Sequence, residues 1–273
     1  RVGMADNRAN DDPRWEPVPA RGIVSEGFAA ERAALVGAGT AADRIEPADA
    51  TSFDASPAPA ACVAYDPYRG EPAAGAGHGG AARGAPPGDR PAHDRGETTH
   101  MSVVDADGNA VALTQTNSSL FGSGARVAGF FLNDSGFRFD GEATATGSSA
   151  WRTRTSTIAP TIVLEDGRVR LVTGAPGGGR IPTAIVQTMV YTLDYGMDPL
   201  AALRMARMFP SPNNRRVQLE NGFSADVLHD VRAMGYQPAA LSFGYARLYS
   251  IVRAGDHWIA VADPRHDGEP RGW

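Results

Sequence analysis

A long segment rich in alanine, glycine and proline divides this chain. It occupies residues 46–97 and includes the run ASPAPAACVAYDPYRGEPAAGAGHGGAARGAPPGDRPAHDRGE. Such a segment has few large apolar side chains, so it cannot bury enough surface to offset the entropy lost on ordering. We therefore predict a flexible linker here, with an ordered but irregular loop as the alternative. This prediction splits the chain into residues 1–45, 46–97 and 98–273.

Regular patterns begin at Thr98 and continue to the end of the chain. TTHMSVV and AVALTQT are typical of two strands of a hairpin, which the turn DADGN joins. The further strand patterns are GFFLN, TIVLE, RVRLVT, ARLYSIV and HWIAVA, and the helix patterns are IPTAIVQTMVYTLDYG, DPLAALRMAR and SADVLHDVRAMG. Before the linker, FAAERAALVGAG predicts one more helix. Strand hairpins with helices grouped between them predict an α+β fold, built as a layered sandwich.

The turn position fixes the register of the first hairpin. If the turn centres near Asp107, Thr98 faces Thr116 on the partner strand. Opposed residues in an antiparallel pair have Cβ atoms about 4.5–5.5 Å apart and point to the same side of the sheet. The two threonine hydroxyls are therefore expected to meet at the open end of the hairpin.

The junction between linker and strand indicates a place where the chain is cut. Cleavage between Glu97 and Thr98 would make Thr98 an N-terminal residue. Its α-amine, with an ordinary pKa of roughly 7.7–8.0, would then accept the proton of its own hydroxyl. Thr116 would orient that hydroxyl through a hydrogen bond. The pattern predicts an N-terminal threonine nucleophile, with a purely structural Thr–Thr pair as the alternative.

A nucleophile that attacks an acyl group needs donors for the oxyanion. The segment TGAPGGGRIPTAIVQ, residues 173–187, ends a strand, passes through three glycines and begins a helix. Glycine lets backbone N–H groups approach a ligand, and the start of a helix carries partial positive charge. We predict an oxyanion site here; a phosphate loop and a plain tight turn are the competing interpretations.

Composition excludes several other kinds of site. All 26 basic residues are arginine, which excludes a Schiff-base lysine and a P-loop lysine. Cys62 is the only cysteine, so neither an internal disulfide nor a cysteine-based metal site can form. The six histidines have no metal-ligand spacing, and we predict neither a metal nor another cofactor. The net charge of −5 disfavours a nucleic-acid partner, and no apolar run long enough to predict a membrane span occurs.

These features resemble the gamma-glutamyltranspeptidase family of N-terminal nucleophile hydrolases. The matching segments are TTHMSVVDADGNAVALTQT, FGSG, FFLN, APTIVLEDGRVRLVTGAPGGGRI, LENGFS and ADPRHDG, and MADNRANDDPRWEPVP resembles the end of the family's large subunit. The resemblance implies a four-layer αββα sandwich. It also implies that residues 1–45 are the tail of the large subunit, and that residues 46–97 form a linker ending at the cleavage site. Residues 98–273 would then be the small, catalytic subunit.

The same resemblance implies a mechanism. The precursor would cut itself before Thr98, and the freed Thr98 would attack a γ-glutamyl amide such as that of glutathione. The acyl group would then pass to water or to an amine acceptor. Thr116 matches the family's second threonine, and Gly177 and Gly178 match its oxyanion glycines. His100 lies on the same strand face as Thr98, and the family pattern treats it as structural.

The residues expected to hold the donor's head group include matches and departures. Ser156 and Thr157 fall where the family has two serines that bind the α-carboxylate, so both hydroxyls are kept. Ser118 stands where the family has an asparagine that helps to hold the α-amine. Asn117 lies one position earlier, which in a strand is the opposite face.

A second departure concerns the charge opposite the α-amine. Arg138 stands where the family's amine-binding aspartate is expected, and Ser135 where a glutamine or glutamate is usual. An ammonium about 4 Å from a carboxylate gains up to about 4 kcal/mol at an effective dielectric near 20, and opposite an arginine that sign reverses. A shift of register would let Asp134 or Asp140 serve instead. We therefore predict a donor site altered from one built for ordinary γ-glutamyl groups.

The overall prediction is a self-processing threonine-nucleophile acyltransferase or amidohydrolase of the gamma-glutamyltranspeptidase type. Its partners would be a small acyl donor, water or an amine acceptor, and its own large subunit. The alternatives are a glutaryl- or cephalosporin-type acylase, an enzyme of specialised biosynthesis such as antibiotic formation, and a non-catalytic relative acting as a binding subunit. The chain begins at Arg1, so we expect a preceding portion, and either cytoplasm or export is compatible with it.

Overall fold

The structure is a computed structural model. It describes residues 19–36, 41, 45–46, 48–54, 98–135, 156–211, 214–241 and 245–272. Most of the predicted linker lies outside the described residues, as do Glu97, Arg138 and Asp140. The predicted division of the chain therefore stays a prediction.

Two short helices form the described N-terminal part, α1 (Ala20–Ile23) and α2 (Glu26–Ala33). Ser25 caps α2, because its Oγ accepts a hydrogen bond from the first helical turn at 3.1 Å. Asp54 in turn holds α1: its Oδ1 accepts two backbone N–H groups at 2.8 Å each. Residues 48–54, which fall at the start of the predicted linker, thus pack against these helices.

The first hairpin consists of β1 (Thr98–Val104) and β2 (Ala110–Thr116), which are antiparallel. Thr98 lies opposite Thr116, so the predicted register is confirmed. Asp105 stabilises the turn, because its Oδ1 accepts two backbone N–H groups of the turn at 2.9 and 2.8 Å.

This hairpin has most of its polar side chains on the inner face and its larger apolar side chains on the outer face, where Thr99 and Gln115 are the polar exceptions. The polar residues of the inner face are Thr98, His100, Ser102, Thr114 and Thr116. The outer residues are Met101, Val103, Val111 and Leu113, and each is between 43% and 52% exposed. Alternation along a strand produces this division, since successive side chains point to opposite faces.

A four-stranded antiparallel sheet lies against the inner face of the hairpin. It contains β5 (Thr161–Glu165), β6 (Arg168–Gly174), β10 (Tyr249–Ala254) and β11 (His257–Ala262), in the order β11-β10-β6-β5. Both hairpins predicted for these segments are confirmed. The first hairpin contacts β6 and β10, so the two sheets form adjacent layers.

Three helices belong to this part of the chain, and the first two pack against the four-stranded sheet. The helix α3 (Ile181–Met189) continues into a π-helical turn (Val190–Asp194), which confirms the long helix predicted there. The helix α4 (Pro199–Arg204) begins at its cap, Asp198, but ends earlier than predicted because the chain then becomes extended. The helix α5 (Ala225–Ala233) is capped by Ser224, as predicted.

A small sheet that the sequence did not predict follows α4. It contains β7 (Met208–Pro210), β8 (Arg216–Leu219) and β9 (Gln237–Ala240). The strand predicted from the pattern GFFLN is wrong for most of its length. Only Phe130–Phe131 (β4) is extended there, and it forms a two-residue ribbon with Arg126–Val127 (β3).

The described core lies between the four-stranded sheet and α3. Its buried members are Ala175, Ile181, Ala184, Ile185, Leu203, Tyr245, Ala246, Leu248 and Val261. Mainly antiparallel sheets, with the helices grouped between strands along the chain, make this an α+β fold, as predicted. Among the described helices, none combines the length and the apolar character needed to cross a membrane.

Candidate active site

The predicted nucleophile and its threonine partner are in contact. The Thr98 hydroxyl donates a hydrogen bond to Thr116 Oγ1 at 3.0 Å, at the open end of the first hairpin. Thr116 Oγ1 also accepts the backbone N–H of Ser118 at 2.9 Å. Two donors thus fix the Thr116 oxygen, and this oxygen orients the Thr98 hydroxyl while leaving lone pairs of the Thr98 oxygen available.

The glycine loop leaves β6 and turns sharply before α3. Gly177 has φ +148° and Gly178 has φ +57°, conformations that favour glycine. A Cβ at Gly177 would lie 2.4 Å from the Cβ of Ala246, so the backbone there is in close contact with the next segment. The Arg247 N–H also donates to the Pro176 carbonyl at 3.0 Å, which holds the loop in place.

Two backbone N–H groups of this loop make no hydrogen bond to the described residues. Within the described part of the chain, neither the Gly177 nor the Gly178 N–H donates to another group, whereas the Arg180 N–H closes the turn onto the Gly177 carbonyl at 3.2 Å. Amides without internal partners can bind an anion or a developing oxyanion. The oxyanion role of Gly177 and Gly178 stays a prediction, and their unbonded amides are compatible with it.

The two predicted carboxylate-binding hydroxyls lie beside this loop. The Thr157 hydroxyl donates to the Gly178 carbonyl at 2.9 Å, which connects Thr157 directly to the glycines. Ser156 Oγ accepts the backbone N–H of Ile158 at 3.2 Å. The structure thus brings Thr157, and with it Ser156, next to the predicted oxyanion site.

The segment after β2 returns to the site and places two serines together. Ser118 Oγ and Ser135 Oγ form a short hydrogen bond, and Ser135 is 3% exposed. Asp134 is engaged nearby, because its Oδ1 accepts the Ser119 N–H at 3.1 Å. Asn117 contributes its backbone carbonyl, which accepts the Asp134 N–H at 3.2 Å. The predicted positions 117, 118 and 135 are therefore neighbours, whereas Arg138 and Glu97 lie outside the described residues.

His100 joins the strand of Thr98 to the strand that leads into the glycine loop. Its ring is 7% exposed and lies against Gly174, where a Cβ would be 2.3 Å from the ring Cε1. The ring nitrogens contact Thr114 Oγ1 at 2.7 Å and Ser102 Oγ at 3.0 Å. Burial lowers the pKa of His100 to about 4, so the imidazole is neutral at neutral pH.

A buried ion pair, which the sequence analysis did not single out, supports the segment behind the loop. Arg207 and Asp263 are 1% and 0% exposed and their charged atoms are 2.8 Å apart. Arg207 also donates to the Ala246 carbonyl at 2.6 Å, next to Gly177. Burial lowers the pKa of Arg207, and the charge of Asp263 opposes this effect. The available sequence signal was Asp263 at the end of the apolar strand HWIAVA.

Within the described residues, no group of three or more histidine, cysteine, aspartate or glutamate side chains is placed to hold a metal ion. The polar groups that converge are hydroxyls, backbone amides and one neutral imidazole. Such a set can supply a nucleophile, hold it in place and stabilise an oxyanion.

Comparison with known proteins gives a match along the whole chain. The family model described as Gamma-glutamyltranspeptidase matches residues 1–273. The chain belongs to the gamma-glutamyltranspeptidase family. The resemblance proposed from its motifs is therefore confirmed.

Individual relatives support this membership. The chain is 36% identical over 195 residues to a glutathione hydrolase proenzyme of Escherichia coli strain K12, a match that covers 66% of this chain and 33% of that protein. The chain thus spans about a third of the length of the curated relatives it matches.

Solved structures share the fold. A gamma-glutamyltranspeptidase from Pseudomonas nitroreducens, complexed with L-DON, is 30% identical with a TM-score of 0.55, over 64% of this chain and 98% of that chain. A cephalosporin acylase from Bacillus halodurans is 20% identical with a TM-score of 0.70, over 100% of this chain and 43% of that chain. The second likeness is one of fold alone.

Proposed function

We propose that this member of the gamma-glutamyltranspeptidase family is a self-processing acyltransferase or amidohydrolase with Thr98 as its nucleophile. The observation that carries the proposal is the hydrogen bond from the Thr98 hydroxyl to Thr116 Oγ1, 3.0 Å long, at the first residue of β1. The relatives named as glutathione hydrolase proenzymes support the self-processing part.

The proposed chemistry begins with cleavage of the chain. Thr98 Oγ1 attacks the carbonyl carbon of Glu97, and its proton passes to the amide nitrogen as the peptide C–N bond breaks, which frees the α-amine of Thr98. Water then hydrolyses the resulting ester, which leaves a carboxylate on Glu97 and restores the Thr98 hydroxyl. In the working enzyme that amine takes the hydroxyl proton, Thr98 Oγ1 bonds to the acyl carbon of the donor, and the proton passes to the leaving amine. Water or an acceptor amine then attacks the ester and regenerates Thr98.

The developing oxyanion would be stabilised by the glycine loop. The amides of Gly177 and Gly178 lie after β6, and the contact between His100 and Gly174 brings the start of β1 next to the end of β6. Removing one such donor typically costs about 10²–10³-fold in kcat. We therefore propose that the loop amides are among the catalytic groups of this reaction.

We also propose that residues 98–273 form the small subunit, that residues 46–97 are the linker, and that residues 1–45 belong to a larger partner subunit. The outer face of the first hairpin supports this, because its four apolar side chains are 43–52% exposed. A one-sided apolar surface of this kind is typical of an interface. A helical layer from the large subunit, lying on this face, would complete the four-layer αββα sandwich.

The donor site is proposed to favour an acyl group other than ordinary γ-glutamyl. Ser118 and Ser135 are hydrogen-bonded to each other, so this part of the site presents uncharged hydroxyls. The Asp134 carboxylate accepts the Ser119 N–H at 3.1 Å through Oδ1. Arg138 stands at the amine-binding position by family resemblance. A donor without an α-amine, such as a glutaryl amide, fits these groups best.

Mass spectrometry of the full-length precursor tests the nucleophile. We expect a fragment that begins at Thr98 in the wild type and an uncut chain in Thr98→Ala. Thr99→Ala is the matched control, because Thr99 is exposed on the opposite face of β1 and its variant should still be cut. A wild-type chain that is never cut would favour the non-catalytic alternative, a binding subunit.

A donor panel tests the specificity with the cleaved enzyme. We expect a higher kcat/KM for glutaryl anilide than for γ-glutamyl anilide. Arg138→Asp should shift the ratio towards γ-glutamyl by roughly tenfold or more, because an attraction replaces a repulsion at the α-amine. Arg126→Asp, at an exposed position on β3, is the control and should leave the ratio unchanged. Efficient γ-glutamyl turnover by the wild type would refute the altered specificity.

A further inference from the structure

The contacts of His100 determine where its single proton lies. The Ser102 hydroxyl donates its only hydrogen to the Tyr249 carbonyl at 2.9 Å, so Ser102 Oγ must accept at its 3.0 Å contact with His100 Nε2. Nε2 therefore carries the proton. Since the ring is neutral, Nδ1 is unprotonated and accepts the Thr114 hydroxyl at 2.7 Å.

The result is a one-directional chain of hydrogen bonds through the interior. It runs from Thr114 on β2, through His100 and Ser102 on β1, to the backbone of Tyr249 on β10. His100 and Ser102 each donate one hydrogen bond and accept one, between the donor Thr114 and the acceptor carbonyl of Tyr249, so the direction of the chain is fixed. The chain fastens the nucleophile hairpin to the four-stranded sheet.

The same imidazole also contacts the strand that carries the glycine loop. Gly174 is the last residue of β6, and a Cβ there would be 2.3 Å from Cε1 and 2.5 Å from Nδ1 of His100. Thr98 lies two residues before His100 on the same face, and Gly177 lies three residues after Gly174. One ring thus connects the strand that begins at the proposed nucleophile with the strand that leads into the proposed oxyanion donors.

These contacts exclude a role for His100 as a general base. The neutral ring has one basic lone pair, on Nδ1, and this lone pair already accepts the Thr114 hydroxyl. The ionisable groups on the elements around it are the Tyr249 side chain on β10 and, across the adjacent cavity, Asp267, Glu269 and Arg271. After cleavage the α-amine of Thr98, at the start of β1, would be a further ionisable group near His100.

We propose that His100 is a positioning residue: through the chain from Thr114 to Tyr249 and its contact with Gly174, it sets the distance between Thr98 Oγ1 and the amides of the glycine loop. This inference rests on the proposed function, since it concerns the geometry of that reaction. A misplacement of about 1 Å can cost on the order of 10²-fold in rate. The effect should therefore fall on kcat rather than on substrate binding.

The test uses the full-length precursor with two variants, His100→Phe and Thr114→Val. The first keeps a ring of similar size and removes both hydrogen bonds, while the second removes only the donor to Nδ1. Matched controls are His257→Phe, at an exposed histidine of β11, and Thr161→Val, whose hydroxyl donates to the Ala159 carbonyl outside this chain of hydrogen bonds. The probes are glutaryl anilide and γ-glutamyl anilide, and kcat is expressed per molecule that begins at Thr98.

We expect kcat to fall by roughly tenfold or more in His100→Phe and less in Thr114→Val, with KM within about twofold of the wild type. The double variant should be no slower than His100→Phe alone, because both changes break one network. Additive losses in the double variant, or a KM that rises with kcat unchanged, would show a merely structural role. If His100→Phe does not fold, the Thr114→Val result decides by the same criteria: an unchanged kcat overturns the proposal.

Thr98→Ala separates this inference from the proposed function. If Thr98→Ala is still cut and active, the proposed function is wrong whatever the His100 variants do. If Thr98→Ala is uncut while His100→Phe and Thr114→Val keep wild-type kcat, only the positioning role is wrong.

Discussion

The substitution Asp263→Asn tests the contribution of the buried Asp263 carboxylate, which pairs with both Arg207 and Arg265. The Asp263 carboxylate contacts the Arg207 guanidinium at 2.8 Å and accepts the Leu248 N–H at 3.1 Å. Its other oxygen accepts from Arg265 Nη1 at 3.0 Å. Asparagine keeps the shape of the side chain but removes its charge, and its NH₂ group would face donors wherever it is placed.

The expected loss follows from the burial of both partners. Arg207 is 1% exposed and stays charged, so the variant contains a buried guanidinium that has lost its paired carboxylate and keeps only the weaker attraction of Glu220. Breaking a buried pair in this way costs about 3–5 kcal/mol. For a domain of this size that corresponds to a fall in Tm of roughly 6–20 °C.

The assay is chemical denaturation of the cleaved enzyme, with Tm as a second measurement. Glu269→Gln is the matched control, because Glu269 and Arg271 form an ion pair of similar length, 2.9 Å, with 70% and 72% exposed side chains. That variant should lose no more than about 0.5 kcal/mol. A loss below about 1 kcal/mol in Asp263→Asn would refute the reasoning from burial.

Three further outcomes are expected. Thr116→Val removes the acceptor of the Thr98 hydroxyl and should lower kcat by roughly tenfold or more, while the free energy of unfolding changes by only about 1 kcal/mol. Gly177→Ala should slow turnover about 10²-fold, because the new Cβ would lie 2.4 Å from a neighbouring side chain, whereas Gly179→Ala has open space and should be tolerated. The pKa of His100 is lowered from 6.5 to about 4, so the unfolded chain binds an extra proton between those pH values. The free energy of unfolding should therefore fall by up to about 3 kcal/mol as the pH drops from 6.5 to 4. Denaturation curves measured across this range should show the loss in the wild type and in His257→Phe but not in His100→Phe.

Local features of the sequence predicted the hairpin and its threonine pair. The turn at residues 105–109 determines which residues face each other, so the partners Thr98 and Thr116 follow from counting along the chain. The caps of α4 and α5 are equally local, since Asp198 and Ser224 accept from N–H groups three residues later. Elements of this kind are encoded within about 20 residues, roughly the length of one hairpin.

Long-range contacts could not be predicted in this way. Ser102 and Tyr249 are 147 positions apart, so their hydrogen bond depends on how the two sheets stack. The sheet β7–β9 was missed because its strands are three or four residues long and two of them contain proline. Strand patterns that short have no clear alternation to detect.

The number of residues in the turn of the first hairpin determines which residues of its two strands face each other. Residues 105–109 are a loop of a kind that usually tolerates insertions. Here one added or lost residue that moved the pairing by one position would turn the polar inner face outward and the apolar outer face inward. Thr116 would leave Thr98, and the face proposed to bind a large subunit would lose its apolar side chains. The length of this loop is therefore expected to be constrained in working relatives, even where its side chains vary freely.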